Sequence, residues 1–158
     1  MDIKRGEPFR ALSESPGETK LLGRCLGSLL NKGDTVYLYG DIGAGKTVFV
    51  AGMASALGID EYITSPTFTI ANVYNSDTPL YHFDAYRIKS PEELFETGFF
   101  DCAGGDCIVA VEWAERLGMY KPDGCAEVWI DAVDGCDTQR IIRINFPTRL
   151  QNNKHNLP

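Results

Sequence analysis

Residues 40–47, GDIGAGKT, decide how the rest of the chain is interpreted. They match the pattern G-x-x-x-x-G-K-[ST], which is that of a phosphate loop. An apolar run at residues 36–39 precedes them and a helical pattern at residues 46–57 follows, as this loop requires. Glycines let backbone N–H groups approach an anion, and the N-terminus of the following helix adds unpaired N–H groups. The stretch therefore predicts binding of a nucleoside triphosphate.

Two side chains at the end of this stretch carry its chemistry. In phosphate loops the lysine, here Lys46, reaches the β- and γ-phosphates. The hydroxyl residue, here Thr47, binds Mg²⁺. The pattern thus predicts a bound magnesium ion as well as a nucleotide.

Composition limits the class of protein. The 158 residues suit one domain, and a hydrophobic content of 44% predicts a packed core. The net charge of −7 argues against a protein whose main task is to grip DNA, RNA or an anionic membrane. The five cysteines form no C-x-x-C pair, and neither a signal segment nor an apolar window of membrane-spanning length is found. We expect a soluble, cytoplasmic protein.

Helix signals occur at three places. Ser15, Pro16 and Glu18 form an N-cap, a first-turn proline and a capping box, and the helical pattern that follows is predicted to end at Gly33. The second helix, residues 46–57, leaves the phosphate loop. A third begins at the sequence SPEE, residues 90–93, and is predicted to stop at Gly98.

Strand signals surround these helices. The predicted strands are a short edge strand in the first dozen residues and residues 35–39, 69–74, 80–83, 107–111, 126–133 and 140–146. The continuous apolar run at 107–111 is typical of a strand buried on both faces. We therefore predict one α/β domain over residues 1–146 with a mixed, mostly parallel central sheet flanked by helices. The polar segment 147–158 is predicted to fray.

Hydrolysis requires a carboxylate near Mg²⁺ and a group that orients water, and two acids follow predicted strands. Glu112 ends the most apolar strand, as a Walker B acid does, and the alternative is a solvated carboxylate. Asp84 ends the strand at 80–83, and its alternative is an Asx turn or an ion pair with Arg87. Both acids are expected at the carboxyl edge of the sheet, where ligands bind in α/β folds.

Four further residues near these acids have two interpretations each. His82 would share a strand face with Asp84, and a structural role is favoured over that of a base. Arg87 could stabilise γ-phosphate charge or pair with an acid. Ser65 and Thr67 could form a switch segment that senses the γ-phosphate, although a simple turn is the plainer interpretation.

Together these residues resemble the bacterial TsaE (YjeE) family. The shared motifs are GDIGAGKT at 40–47, SPTF at 65–68, HFDAYR at 82–87, PEEL at 91–94 and VEWAER at 111–116. They extend over roughly residues 13–146, and their order is far more specific than the phosphate loop alone.

The resemblance implies a P-loop NTPase fold and a weak Mg²⁺-dependent ATPase that serves tRNA threonylcarbamoyladenosine (t6A) synthesis. The family acts with TsaB- and TsaD-type partners, so that tRNA would be involved only indirectly. By position, Thr47 and Glu112 would hold Mg²⁺, and Asp84, with Lys46 and Glu112, would be catalytic. The residues implied to bind ATP are Ser15, Asp41, Ile42, Gly43, Ala44, Gly45, Lys46 and Thr47.

Two other functions stay open at this stage. A P-loop small-molecule kinase would normally need an arginine-bearing lid, and residues 91–107 contain no Arg or Lys. A non-hydrolysing assembly factor, which ATP occupancy alone would control, has the same residues as a slow ATPase.

Overall fold

One mixed sheet organises the computed structural model, which describes residues 8–66, 69–122, 125–147 and 149–150. Within these residues the strands are β1 (Phe9–Ser13), β2 (Thr35–Tyr39), β3 (Ala71–Tyr74), β4 (Leu80–Asp84), β5 (Ile108–Glu112), β6 (Ala126–Val133) and β7 (Cys136–Asn145). Their order across the sheet is β1-β7-β6-β2-β5-β4-β3. The central pairs β6–β2, β2–β5 and β5–β4 are parallel, and the outer pairs are antiparallel. The predicted fold class is confirmed.

Helices lie against this sheet. They are α1 (Pro16–Gly27), α2 (Lys46–Ala56), α3 (Pro91–Glu96) and α4 (Phe99–Cys102), with a 3-10 segment, Ala114–Tyr120, that is kinked at Gly118. The predicted start of α1 is confirmed, because the Ser15 hydroxyl accepts from the Glu18 N–H at 3.2 Å. The Glu18 carboxylate in turn accepts from the Glu14 N–H at 2.7 Å. Gly98, the predicted stop of the third helix, separates α3 from α4 in a left-handed conformation.

Three predicted boundaries were wrong by two residues or more. Helix α1 ends at Gly27, not at Gly33, because Leu29 and Leu30 donate to carbonyls only three residues back and so tighten the chain out of the helix. Strand β3 begins at Ala71, not at residue 69, because Ile70 has a φ of 65° that strand geometry excludes.

Strand β7 begins at Cys136 instead of residue 140. Val133 pairs with Cys136, so the hairpin turn consists only of Asp134 and Gly135. Gly135 has a φ of 76°, which suits a two-residue hairpin loop. Cys136, which lies between the two strands predicted at 126–133 and 140–146, therefore contributes to the ladder with β6.

Apolar side chains fill both faces of the sheet. Every residue of β5 is buried, and its side chains alternate between two clusters, as expected for the predicted two-faced strand. One cluster lies beneath α1 and α2 and includes Leu26, Leu38 and Phe49. The other includes Phe83 and Phe99.

The described end of the chain also reaches the first cluster, since Leu150 is 2% exposed within it. Most of the predicted frayed segment, 147–158, lies outside the described residues. In the part of the chain that is described, no helix is both long and apolar enough to cross a bilayer. Among the cysteines, Cys107 is buried, whereas Cys25 is half-buried.

Candidate functional site

The loop at residues 40–47 joins the end of β2 to the start of α2, as the sequence predicted. Gly40, with a φ of 149°, lies so close to β6 that a Cβ there would be 2.4 Å from the Ile130 carbonyl oxygen. Gly45 caps α2 in a left-handed conformation with a φ of 109°. Both positions therefore require glycine, and the loop presents the unpaired N–H groups of the α2 N-terminus.

The Lys46 side chain folds over this loop and is only 5% exposed. Its Nζ donates to the carbonyl oxygens of Gly40 and Asp41, the latter at 2.9 Å, and lies 4.2 Å from the centre of the Trp113 ring. Burial lowers the pKa of Lys46, and nearby carboxylates, Glu112 foremost, oppose that shift. An ammonium group in these surroundings is well placed to attract phosphate oxygens.

Thr47 and Glu112 are in direct contact at the first turn of α2. The Thr47 hydroxyl donates to Glu112 Oε1 at 2.7 Å. The same oxygen lies 2.8 Å from Nε2 of His82, which is fully buried. His82 Nδ1 is also buried and has no hydrogen-bond partner among the described residues. His82 thus holds Glu112 in place, which agrees with the structural role favoured for it.

Asp84 lies beside Glu112, because these two strand-end residues are paired between β4 and β5. Its Oδ2 accepts from the Ser65 hydroxyl at 3.1 Å, and its Oδ1 accepts from the Tyr86 N–H at 2.9 Å. The second bond is the Asx turn considered as an alternative for this residue. The carboxylate nevertheless faces the same cleft as Glu112, so the turn orients the acid and does not remove it from the site.

A cleft of about 320 Å³ brings most of these groups together. Its walls are formed by Ile42, Gly43, Lys46, Thr47, Ser65, Asp84, Tyr86, Glu112 and Trp113. Six of the predicted site residues are therefore gathered at the carboxyl edge of the sheet. Asp41 contributes its carbonyl oxygen to Lys46 and to the Ala44 N–H, which donates to it at 3.0 Å.

The remaining predicted residues lie on the other side of the loop. A smaller hollow of about 150 Å³ is lined by Ala44, Gly45 and the Arg140 side chain, together with Pro16 and Thr19 of α1. The N-terminus of α1 is thus adjacent to the loop. The Ser15 side chain itself caps α1 and does not line either depression.

One of the alternative site residues, Arg87, is not brought into the cleft. Arg87 is exposed and does not belong to its walls. Thr67 lies outside the described residues, so the predicted switch segment is represented here by Ser65.

Three residues with no role predicted from the sequence lie at the loop and its cleft. Trp113 and Tyr86 form one wall of the cleft, with ring centres 4.9 Å apart. Both occur in the motifs that carry the family resemblance, and their place there was the signal by which the sequence could have identified them. Arg140 donates to the carbonyl oxygens of Gly43 and Ala44 from β7, and no spacing in the sequence predicts that contact.

Comparison with known proteins gives a consistent result. The family model for the threonylcarbamoyl adenosine biosynthesis protein TsaE matches residues 13–142. A TsaE of tRNA threonylcarbamoyladenosine biosynthesis from Treponema pallidum is 44% identical over 115 residues, which cover 73% of this chain and 85% of the relative. The TsaE of Bacillus subtilis is 42% identical over 109 residues, 68% of each chain.

A solved structure agrees with the sequence comparisons. The crystal structure of Bacillus subtilis YdiB superposes with a TM-score of 0.74 at 30% sequence identity. The match covers 94% of this chain and 92% of that one. The architecture described above is therefore shared over nearly the whole chain.

Proposed function

The chain belongs to the TsaE family of tRNA threonylcarbamoyladenosine biosynthesis, and from that premise we propose that it binds ATP with Mg²⁺ and hydrolyses it. One observation carries the proposal. The loop at residues 40–47, the buried Lys46, the Thr47–Glu112 pair and the oriented Asp84 meet in a single cleft. Each of these features supplies a group that transfer of a phosphoryl group to water needs. If their roles were only structural, they would have no reason to meet in one cleft.

The donor set at Thr47 and Glu112 fits Mg²⁺. It offers a hydroxyl and a carboxylate oxygen, which are the hard ligands that this ion prefers. Within the described residues there is no group of three or more His, Cys, Asp or Glu side chains that could hold a metal alone. Mg²⁺ characteristically takes only one or two protein ligands and completes its shell with phosphates and water, where it neutralises the charge of the β- and γ-phosphates.

The protein groups would divide the remaining work. The N–H groups of residues 43 and 45–47 would hold the phosphates, and the Lys46 ammonium would compensate their charge. Asp84, fixed by Ser65 and Tyr86, would orient the attacking water and accept its proton. Because both Asp84 oxygens accept hydrogen bonds from the protein, the carboxylate is aligned before substrate arrives.

We also propose the cellular setting that the family implies. The ATPase would be weak alone and would act on TsaB- and TsaD-type subunits in the cytoplasm. It would contact tRNA only through them. The net charge of −7 supports this arrangement, because an acidic chain is poorly suited to hold a polyanion directly.

Two substitutions separate nucleotide binding from hydrolysis. Lys46→Ala should weaken ATP binding roughly tenfold to a hundredfold, because it removes a charge-assisted contact to the phosphates. Asp84→Asn should keep the affinity and slow hydrolysis by roughly a hundredfold or more, since the amide cannot accept a proton. Calorimetry gives the first quantity and release of inorganic phosphate, with the partner subunits present, gives the second.

Asp131→Asn, at an exposed ion pair on β6, is the matched control and should change neither quantity. An Asp84→Asn protein that hydrolyses ATP at the wild-type rate would remove Asp84 from the mechanism. Transfer of phosphate from ATP to a metabolite instead of water would replace the ATPase by a kinase.

A further inference from the structure

The Arg140 guanidinium, on β7, joins the loop at residues 40–47 to the β6–β7 hairpin. Its Nε donates to the Ala44 carbonyl oxygen at 2.8 Å, and one terminal nitrogen donates to that of Gly43 at 3.2 Å. The other terminal nitrogen donates to the carbonyl oxygens of Asp137 and Gln139, both at 2.8 Å. One planar guanidinium therefore donates to four backbone carbonyls, two in the loop and two in the hairpin. Its rigid set of N–H donors suits such an arrangement of acceptors.

These contacts fix two peptide planes of the loop. In a trans peptide the C=O of one residue and the N–H of the next point in opposite directions, and the described chain contains no cis peptide. Since the Ala44 C=O points to Arg140, the Gly45 N–H points away from it. The Gly43–Ala44 plane is held at both ends, because the Ala44 N–H donates to the Asp41 carbonyl oxygen at 3.0 Å.

Arg140 lies on the opposite side of the loop from the catalytic groups. It lines the smaller hollow with Ala44 and Gly45, whereas Lys46 and Glu112 line the large cleft. Gly45 has a φ of 109° and is free to rotate in ways that residues with a Cβ are not, so its N–H needs an external constraint to stay directed at an anion. The Arg140 guanidinium provides that constraint, because it donates hydrogen bonds to the carbonyl oxygens of the two peptide planes.

We propose that Arg140 is a positioning residue of the nucleotide site. It acts through the carbonyls of Gly43 and Ala44 and keeps the Gly45 N–H aimed at the phosphates, without contacting the nucleotide. The inference rests on the proposed ATP binding. It extends that function to a residue three strands away in the sheet order from β5, which carries Glu112.

The test compares two ligands and three variants of the full chain. Arg140→Gln removes the charge and most of the donors, and Arg140→Lys restores a charge but not the fork. Arg143→Ala is the matched control, because Arg143 is on the same strand and pairs with the exposed Asp131 at 2.9 Å. The ligands are ATP and inorganic pyrophosphate, with affinities measured by calorimetry or competition.

Arg140→Gln should weaken both ligands by a similar factor, roughly tenfold, with a smaller loss in Arg140→Lys and none in Arg143→Ala. Without ligand, hydrogen exchange of the Ala44 amide should accelerate in Arg140→Gln and not in Arg143→Ala. If Arg140→Gln is too unstable for calorimetry, hydrogen exchange of the Ala44 amide in Arg140→Lys tests the same proposal. A merely structural role would lower the melting temperature without this local change.

Three results would overturn the inference. A loss confined to ATP, with pyrophosphate unaffected, would mean that Arg140 contacts the base or ribose. Unchanged affinity for both ligands, or unchanged exchange at Ala44, would mean that it does not orient the loop. A wild-type protein that binds neither ligand would overturn the proposed function itself, and that outcome is distinct from the other two.

Discussion

His82 determines how the Glu112 carboxylate is presented. The imidazole is fully buried and lies on the same carboxylate oxygen that accepts from Thr47. A buried carboxylate that loses a hydrogen-bond donor pays a desolvation cost and becomes free to rotate. We propose that Glu112 holds Mg²⁺, and hydrogen bonds to metal-binding residues typically tune metal affinity by tenfold to a hundredfold.

We therefore predict that His82→Leu raises the Mg²⁺ concentration needed for half-maximal ATP binding by roughly tenfold. It should also lower the free energy of unfolding by about 1–3 kcal/mol. His82→Gln, which retains a donor, should recover part of both. Titration of Mg²⁺ against a fluorescent nucleotide analogue, with binding of the Mg²⁺-free analogue as reference, provides the measurement. An unchanged Mg²⁺ requirement in His82→Leu would assign His82 to the core alone.

Some residues of the candidate site could be predicted from the sequence and others could not. The loop, Asp84 and Glu112 were predicted because motif spacing and strand ends are local properties of the chain. The contacts of Arg140 with the loop could not be predicted, since they depend on strand pairing over a long separation. The positive φ of Ile70 could not be predicted either, because it is a rare backbone conformation. The sequence therefore predicted the candidate reactive groups, and the structure showed which residues contact them.

Helices α1 and α2 approach each other closely because glycines lie at their contact. A Cβ on Gly52 would lie 2.0 Å from the Lys20 carbonyl oxygen, and one on Gly23 would lie 2.1 Å from that of Phe49. Backbone atoms cannot give way as a flexible side chain does. The contact keeps the N-terminus of α1 adjacent to the loop at residues 40–47, from which α2 begins.

Gly52→Ala should accordingly destabilise the protein by about 1–3 kcal/mol or more, in spite of the better helix propensity of alanine. Gly17→Ala is the control on α1, because its nearest contact would be the Ser15 hydroxyl at 3.7 Å. That variant should be neutral or stabilise by up to about 1 kcal/mol. Urea unfolding of both variants distinguishes a tight helix contact from a general intolerance of substitution.

The segment after the 3-10 helix is anchored to the sheet by Lys121. Its ammonium pairs with Glu127 and donates to the Tyr39 hydroxyl at 2.8 Å, which itself donates to Glu127 at 3.0 Å. Burial alone would raise the pKa of Glu127, but the hydrogen bonds from Lys121 and Tyr39 outweigh it and lower the pKa below the ordinary value of 4.5. The folded protein thus favours the ionised form of this acid.

This shift predicts a pH dependence of stability. Because the pKa of Glu127 is lower in the folded than in the unfolded state, its contribution is present above pH 4.5 and is lost as the pH falls through the folded value. Glu127→Gln should cost about 1 kcal/mol at pH 7, and the difference from wild type should shrink below pH 4.5. Denaturant unfolding at pH 7 and pH 4 measures it, with the exposed Asp131→Asn as a control expected to show little change at either pH.

At the scale of the molecule, the fold class was predictable because strand and helix signals alternate along the chain. Strand β5 was identified from its apolar run, and the two-sided burial of its side chains explains that run. The order of the strands was not predicted. It depends on which pairs form between distant segments, and turn chemistry does not specify that.

The acidic charge of the whole chain leads to a prediction about tRNA. With 22 acidic and 15 basic side chains, the protein should repel a polyanion at neutral pH. We expect the protein alone to bind tRNA with a Kd weaker than about 10⁻⁴ M, the weak end of non-specific nucleic-acid binding. Fluorescence anisotropy with labelled tRNA over a salt series tests this. Micromolar binding that weakens steeply with salt would place a tRNA-contacting surface on this chain.

The pairing of β1 with β7 has a consequence for how the chain folds. Phe9 lies opposite Ile144, so this edge of the sheet forms only after most of the sequence has been synthesised. The hairpins β3–β4 and β6–β7 can form from neighbouring residues, whereas the β1–β7 ladder must close a very long loop. A nascent chain on the ribosome would therefore carry the loop at residues 40–47 well before the strand that bears Arg140 emerges to support it.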